Sequence, residues 1–250
     1  MAIVQFPLRL VASRMLAPTV RHLAFARDDG QPLDFIPGQF VQVHFNYPDG
    51  TPTKRSYSLA TMHDHAMGPG EAIEIAVSYV AGGAATALFE AMDEGQQIQA
   101  SGPYGRFCLV PSDANRRYLL IGTGTGVTPY RAMLPKLAEL MATRGVEVVL
   151  LFGCRKPEEL IYGEDFYAFA AAHPNFRFVP CFSRELPADP HPDVRQGYVQ
   201  DVLAEFAPSA DGDIAYLCGN PNMVDATFEV LKAAGLPVPH IRREKYVSSK

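Results

Sequence analysis

Cysteine is scarce and scattered in this chain. Its four cysteines, Cys108, Cys154, Cys181 and Cys218, stand far apart along 250 residues. That spacing excludes a Cys-x-x-Cys metal site and a compact disulfide framework. It also argues against an iron–sulfur cluster, which needs closely grouped thiolates. A reduced cytoplasmic setting is the expectation. Long apolar runs are missing too, so no segment suits a membrane-spanning helix. Met1 to Leu16 is interrupted by Pro7, Arg9 and Arg14 and lacks the apolar stretch of a secretory signal. There is no basic excess. The net charge of −5 speaks against binding of bulk nucleic acid. The histidines, including His63 and His65, are scattered and receive no metal role. No amphipathic dimer segment stands out, so a monomer is expected.

What is present looks like an ordinary globular chain, 48% apolar and 20% charged, long enough for one large domain or two ordinary ones. The first part reads as β-rich, with strands expected at Ile3–Ser13, Val20–Ala26, Gln39–Phe45, Lys54–Ala60, Ile73–Tyr79 and Gln97–Ser101. Turn signals at Asp29-Gly30, Pro37-Gly38, Pro48-Asp49-Gly50 and Gly68-Pro69-Gly70 separate them. Such spacing suggests an antiparallel barrel or sandwich. One helix, Ala84–Met92, interrupts. Gly102–Phe107 reads as a tight loop rather than a strand. The turn-prone Pro111–Asn115 marks a domain boundary, giving 1–111 and 112–250 as the expected domains.

From Arg117 the pattern changes. Strands at Tyr118–Ile121, Val146–Phe152, Phe176–Phe182 and Ile214–Cys218 alternate with helices at Tyr130–Arg144, Glu158–Ala172, Val199–Phe206 and Asn222–Ala234. That alternation predicts an α/β domain with a doubly wound parallel sheet. After its first strand comes Gly122-Thr123-Gly124-Thr125-Gly126-Val127-Thr128-Pro129. A glycine-rich turn at this place is where a dinucleotide pyrophosphate sits. The turn lacks the lysine of a triphosphate-binding P-loop.

Two further stretches carry chemistry. In Arg55-Ser56-Tyr57-Ser58-Leu59-Ala60-Thr61, strand alternation puts Arg55 and Tyr57 on one face and Ser56 and Ser58 on the other. A planar ligand could lie on Tyr57 while Arg55 holds an attached anion; a half-buried strand with an exposed arginine is the alternative. Gly82, Gly83 and Thr86 open the first helix and could hold a pyrophosphate, or simply form a glycine turn.

Taken in order, these motifs resemble the ferredoxin–NADP reductase family: Arg55–Ser58, Gly122–Pro129, Cys218-Gly219-Asn220-Pro221-Asn222-Met223 and Glu244-Lys245-Tyr246. The size resembles the compact bacterial members. The resemblance implies FAD on an N-terminal β-barrel and NADP(H) on the α/β domain. FAD would be bound by Arg55, Ser56, Tyr57, Ser58 and Leu59, with Gly82, Gly83 and Thr86 at its phosphates. Arg55 would pair with the pyrophosphate, Tyr57 would stack on the flavin, and Ser58 would lie by flavin N5. Tyr246 would cover the second flavin face, although Val247-Ser248-Ser249-Lys250 follows it. Gly122, Thr123, Gly124, Thr128, Gly219 and Met223 would serve the nicotinamide dinucleotide. Cys218 would set the nicotinamide ring, and Glu244 would assist proton delivery or partner coupling.

Ser183, Arg184 and Tyr198 match the pattern that recognises the 2′-phosphate and adenine of NADPH. Gln196 stands where the family often has lysine; Arg195 beside it could substitute. Arg155 would face the pyrophosphate or ribose. The implied activity is hydride transfer between NADPH and flavin N5, with single-electron exchange with ferredoxin or flavodoxin. Arg242, Arg243, Lys245 and Lys250 would form a basic tail that guides this acceptor. Alternatives are an NADH-dependent reductase serving an oxygenase, a non-catalytic electron-transfer subunit, and an ordinary Rossmann dehydrogenase.

Overall fold

The computed structural model describes residues 5–247. Ile3, Val4, Ser248, Ser249 and Lys250, named above, lie outside them. The described residues group into two compact units, 5–109 with 128–133, and 110–127 with 134–247.

The first unit is an antiparallel sheet. Its strands are β1 (Gln5–Ala17), β2 (Val20–Arg27), β3 (Phe40–Asn46), β4 (Pro52–Ser58), β5 (Ile73–Ser78) and β6 (Gln97–Tyr104), with one helix, α1 (Ala84–Glu90). The six strands run in the order β4-β3-β6-β1-β2-β5. A bridge between Leu59 and Ile75 draws the edges β4 and β5 together, curling the sheet toward a barrel. Alternation explains the core: Phe6, Leu8 and Leu10 of β1 are buried while their neighbours are not. They pack with Leu23, Phe25, Val41, Val43, Ile75 and Phe89. The expected loop at Gly102–Phe107 is corrected, because β6 continues to Tyr104, which pairs with Phe40. A register shift between Phe40 and Gln42 absorbs the irregular residues there.

The second unit is a parallel sheet with helices between its strands. In chain order it comprises β7 (Arg117–Thr123), α2 (Thr128–Arg144), β8 (Glu147–Cys154), α3 (Gly163–Ala172), β9 (Phe176–Phe182), β10 (Arg195–Gln196), α4 (Val199–Val202), β11 (Asp213–Gly219), α5 (Pro221–Ala233) and β12 (Ile241–Lys245). The first turns of α2 group with the other unit. The strand order is β10-β9-β8-β7-β11-β12, and every pairing is parallel. β7, β8 and β11 are nearly continuous apolar runs, as strands covered on both faces must be.

Three expectations change here. The helix expected from Glu158 begins at Gly163, because Tyr162 takes a left-handed conformation at φ 56 after a short 3-10 turn. The helix expected over Val199–Phe206 splits into α4 and a 3-10 turn, Leu203–Phe206. Residues 241–245, expected as a tail, form an edge strand. Among the described residues no helix is long and apolar enough to cross a membrane.

Candidate functional site

In the first unit, β4 pairs along its length with β3 and alternates as expected. Thr53, Arg55 and Tyr57 share one half-buried face, and Lys54 and Ser56 are exposed on the other. Arg55 is oriented along the strand. Its Nη1 donates to Thr53 Oγ1 and Lys54 O, each at 2.9 Å, and its Nη2 donates to Tyr47 Oη at 2.9 Å. The Tyr57 ring meets Phe89 of α1 edge to face, with centroids 5.4 Å apart. Burial pushes its phenol well above the usual range and keeps it neutral. Ser58 is buried at the end of β4. Leu59 is a core residue whose N–H is spent on Gln39 O at 3.0 Å.

The Gly82–Thr86 turn is built by Thr86. Its hydroxyl accepts from Val80 N at 2.8 Å and donates to Val80 O at 3.0 Å. In this arrangement the Thr86 hydroxyl closes the loop. Gly82 is glycine for backbone reasons, having φ +72 with open space where a Cβ would be.

In the second unit, the glycine turn leaves β7 through a 3-10 turn, Gly124–Val127, into α2. Its backbone packs on the end of β11. A Cβ at Gly126 would lie 2.3 Å from Cys218 O, and one at Gly219, where φ is +125, would lie 2.5 Å from Thr123 O. Thr123 Oγ1 accepts from Asn220 N at 3.1 Å and braces this junction. Gly122 is a buried strand residue paired with Cys218 and Phe152. Gly124, at φ +54, faces open space. Thr128, which opens α2 and groups with the first unit, is buried, and its Oγ1 has no hydrogen-bond partner among the described residues. Met223 is a core residue whose sulfur accepts from Thr227 Oγ1 at 3.5 Å.

Cys218 and Glu244 are register partners across β11 and β12. Cys218 is fully buried. Burial, with the nearby Glu244 charge, raises its thiol well above the usual range, and a hydrogen bond from Tyr246 opposes this only in part. Burial pushes the Glu244 carboxyl up to about 7. Tyr246 N also donates to Gly219 O at 2.8 Å.

The basic residues around Glu244 each have a neighbour. Arg242 forks onto Asp113 at 2.6 Å through both nitrogens and also donates to Tyr216 Oη. Arg243 lies over the Phe228 ring at 3.8 Å. Lys245 pairs with Asp225 at 2.7 Å.

At the ends of β8 and β9, Ser183 N bonds Cys154 O at 3.0 Å and Arg184 N bonds Arg155 O at 3.0 Å, so Ser183, Arg184 and Arg155 come together. Arg184 and Tyr198 are exposed. Arg155 is tied to Glu159 at 2.5 Å, and Arg195 to Glu205 at 2.8 Å. Burial pushes the Glu159 carboxyl up, but the hydrogen bonds and charge of Arg155, with the charge of Arg184, hold it below the usual range.

The sequence reading missed Asp113, Tyr216, Glu159 and Arg131. Arg131 is buried; its Nη1 donates to Ala60 O at 2.7 Å and to Glu74 Oε2 at 2.6 Å. Only an unexplained charge inside an apolar helix stretch, Tyr130–Leu134, could have signalled it.

Residues 7–108 match the oxidoreductase FAD-binding domain, and residues 120–229 match the oxidoreductase NAD-binding domain. The chain is 35% identical over 248 residues to ferredoxin–NADP reductase B of Sorangium cellulosum, covering 96% of this chain and 97% of that protein. The chain belongs to the ferredoxin–NADP reductase family. It is also 35% identical over 245 residues to the reductase subunit of an aromatic O-demethylase from Amycolatopsis, covering 93% of this chain and 70% of that protein. The solved structure of the Amycolatopsis cytochrome P450 reductase GcoB superposes with a TM-score of 0.82 at 32% identity, over 97% of this chain and 70% of that one.

The cofactors of this ferredoxin–NADP reductase family member are FAD and a nicotinamide dinucleotide, and the residues present fit both. A guanidinium held beside a neutral aromatic ring suits a flavin nucleotide. A glycine turn after the first strand of a parallel sheet, open at Gly124, suits a dinucleotide.

Proposed function

We propose that this reductase takes electrons from NADPH and delivers them singly to a small redox protein, ferredoxin or flavodoxin. The observation that carries the NADPH reading is the meeting of Ser183, Arg184 and Arg155 at the ends of β8 and β9. The exposed Arg184 guanidinium and the Ser183 hydroxyl are the donors suited to a 2′-phosphate there, with Arg155 beside them for the pyrophosphate or ribose. The match along nearly the whole of both chains to ferredoxin–NADP reductase B supports the same reading.

FAD, when bound, accepts an electron pair from the nicotinamide and releases it one electron at a time. The protein's own residues bind and orient. Arg55 holds an anionic group along β4, and Tyr57, kept neutral and backed by Phe89, offers a flat apolar face. Ser58 stands at the end of that strand as the candidate donor toward the flavin edge. Cys218 stays protonated because it is fully buried, so it acts by shape and weak hydrogen bonding rather than as a nucleophile. Glu244, near neutrality, is the group able to hold or release a proton at working pH.

A second reading is an NADH-dependent reductase serving an oxygenase. It is favoured by Gln196 and by the pairing of Arg155 and Arg195 with Glu159 and Glu205, which takes up cations that a 2′-phosphate would use. Anaerobic bleaching of the flavin with either nucleotide separates the two. Faster bleaching by NADPH, lost in Arg184→Ala while NADH bleaching is kept, supports the first reading. Equal or better bleaching by NADH, with Arg184→Ala affecting both alike, supports the second.

A further inference from the structure

β12 is an edge strand with a single sheet neighbour, β11. Arg242, Glu244 and Tyr246 alternate onto its half-buried face, while Arg243 and Lys245 are exposed. A slip of two residues along β11 would preserve that alternation. Strand pairing alone therefore does not determine which of these residues stands beside Cys218.

Something outside the sheet pairing does. Arg242 makes a two-pronged pair with Asp113, both contacts at 2.6 Å. Side-chain exposures are only 21% for Arg242 and 8% for Asp113, so water screens this pair poorly. The guanidinium also lies over the Tyr216 ring, 5.1 Å from its centroid, and donates to its hydroxyl. A two-residue slip would carry Arg242 roughly 6–7 Å along the strand and break all of these contacts at once. Ile241, buried in the core at the start of β12, resists the same slip through its apolar contacts, whereas the exposed ties discriminate less. The Lys245–Asp225 pair is exposed at 40% and 56%, and long exposed side chains follow a shifted strand at little cost.

We propose that Asp113 and Arg242 are positioning residues that lock the register of β12 and thereby hold Glu244 beside Cys218. The proposal rests on the reading of Glu244 as a working residue of the reductase. Cys218 on β11 faces Glu244, and Arg242 on its own strand and Tyr246 just past that strand flank it two residues away in sequence. Asp113 reaches Glu244 only through the strand.

The test reads the Glu244 carboxyl directly. The FAD-loaded protein is labelled with 13C-carboxyl glutamate and titrated by infrared difference spectroscopy, with Glu244→Gln identifying the band. In the native protein the Glu244 midpoint is expected near 7. Asp113→Asn is expected to lower it by about one pH unit or more, because a slipped carboxyl regains water. Asp113→Glu, which keeps the pair, is expected to restore it. Asp113→Asn leaves Arg242 unpaired and risks misfolding, so the double variant Asp113→Asn/Arg242→Gln removes both charges together. Flavin absorbance and circular dichroism verify the fold. An unchanged midpoint in either folded variant overturns the proposal. The reading of Glu244 is tested separately: if Glu244→Gln keeps the native pH–rate profile for one-electron reduction of cytochrome c, that reading fails whatever the titration shows.

Discussion

Glu244 stands directly opposite Cys218 where β12 pairs with β11, and neither group ionises readily there. Burial raises both, and the charge of Glu244 adds to the thiol's resistance. As the pH rises the carboxyl gives up its proton well before the thiol does.

A pH-dependent stability follows from this. The Glu244 carboxyl moves from 4.5 to about 7 on folding, so the folded state holds a proton that the unfolded chain has lost. Its stabilising effect is complete below the unfolded value and disappears as the pH rises through the folded one. Glu244→Gln cannot ionise and escapes the loss. Urea unfolding at roughly pH 5 and pH 8.5 should show the variant gaining about 1–3 kcal/mol on the native protein at the higher pH. A difference that does not change with pH would mean that the carboxyl is not buried.

Gly126 and Gly124 look alike in sequence but differ in what surrounds them. A methyl group at Gly126 would collide with backbone, 2.3 Å from Cys218 O and 2.6 Å from Gly219 Cα, whereas one at Gly124 meets nothing within 4 Å. Gly126→Ala should destabilise the second unit by about 1–3 kcal/mol or more and abolish binding of the nicotinamide dinucleotide while flavin absorbance persists. Gly124→Ala bears only the left-handed backbone strain, about 1–2 kcal/mol. Thermal unfolding and nucleotide titration of the two variants check this; equal effects would disprove the close approach.

These contrasts show what was legible in the chain. The face shared by Arg55 and Tyr57 could be read because strand alternation is a local rule. The glycine turn could be read because its residues are consecutive. The tethering of Arg242 could not, since its partner Asp113 lies 129 residues away. Strand β12 was hidden for a related reason. Arg242, Arg243 and Lys245 read as part of a basic tail, and only the neighbouring β11 makes a strand of them. The break at Tyr162 carried no signal, because left-handed backbone is ordinarily marked by glycine or asparagine rather than tyrosine.

Thr86 tests whether loop closure or ligand contact dominates at α1. Thr86→Val keeps the shape and removes both hydrogen bonds to Val80. Leaving the Val80 polar groups unsatisfied should cost about 1–3 kcal/mol, with faster FAD release. Thr86→Ser retains the hydroxyl and should behave like the native protein. Measuring FAD dissociation by the recovery of flavin fluorescence checks both. Native-like FAD retention in Thr86→Val would show that the loop does not depend on this clamp.

The engagement of Arg242 narrows where an acidic electron acceptor could be steered. Arg243 and Lys245 are the strand's exposed cations, and Arg243 rests on Phe228 through a contact that charge reversal would remove at a cost of about 0.5–1 kcal/mol. Arg243→Glu should therefore fold and bind FAD, yet slow reduction of an added ferredoxin several-fold at low ionic strength. The deficit should vanish near 1 M salt, where charges are screened within about 3 Å. Arg242→Glu should behave differently, because it sets a carboxylate against Asp113 and disturbs the strand itself, so its defect should persist at high salt. If Arg243→Glu leaves low-salt kinetics untouched, steering depends on cations elsewhere, and the alternation of β12 serves only to present Glu244.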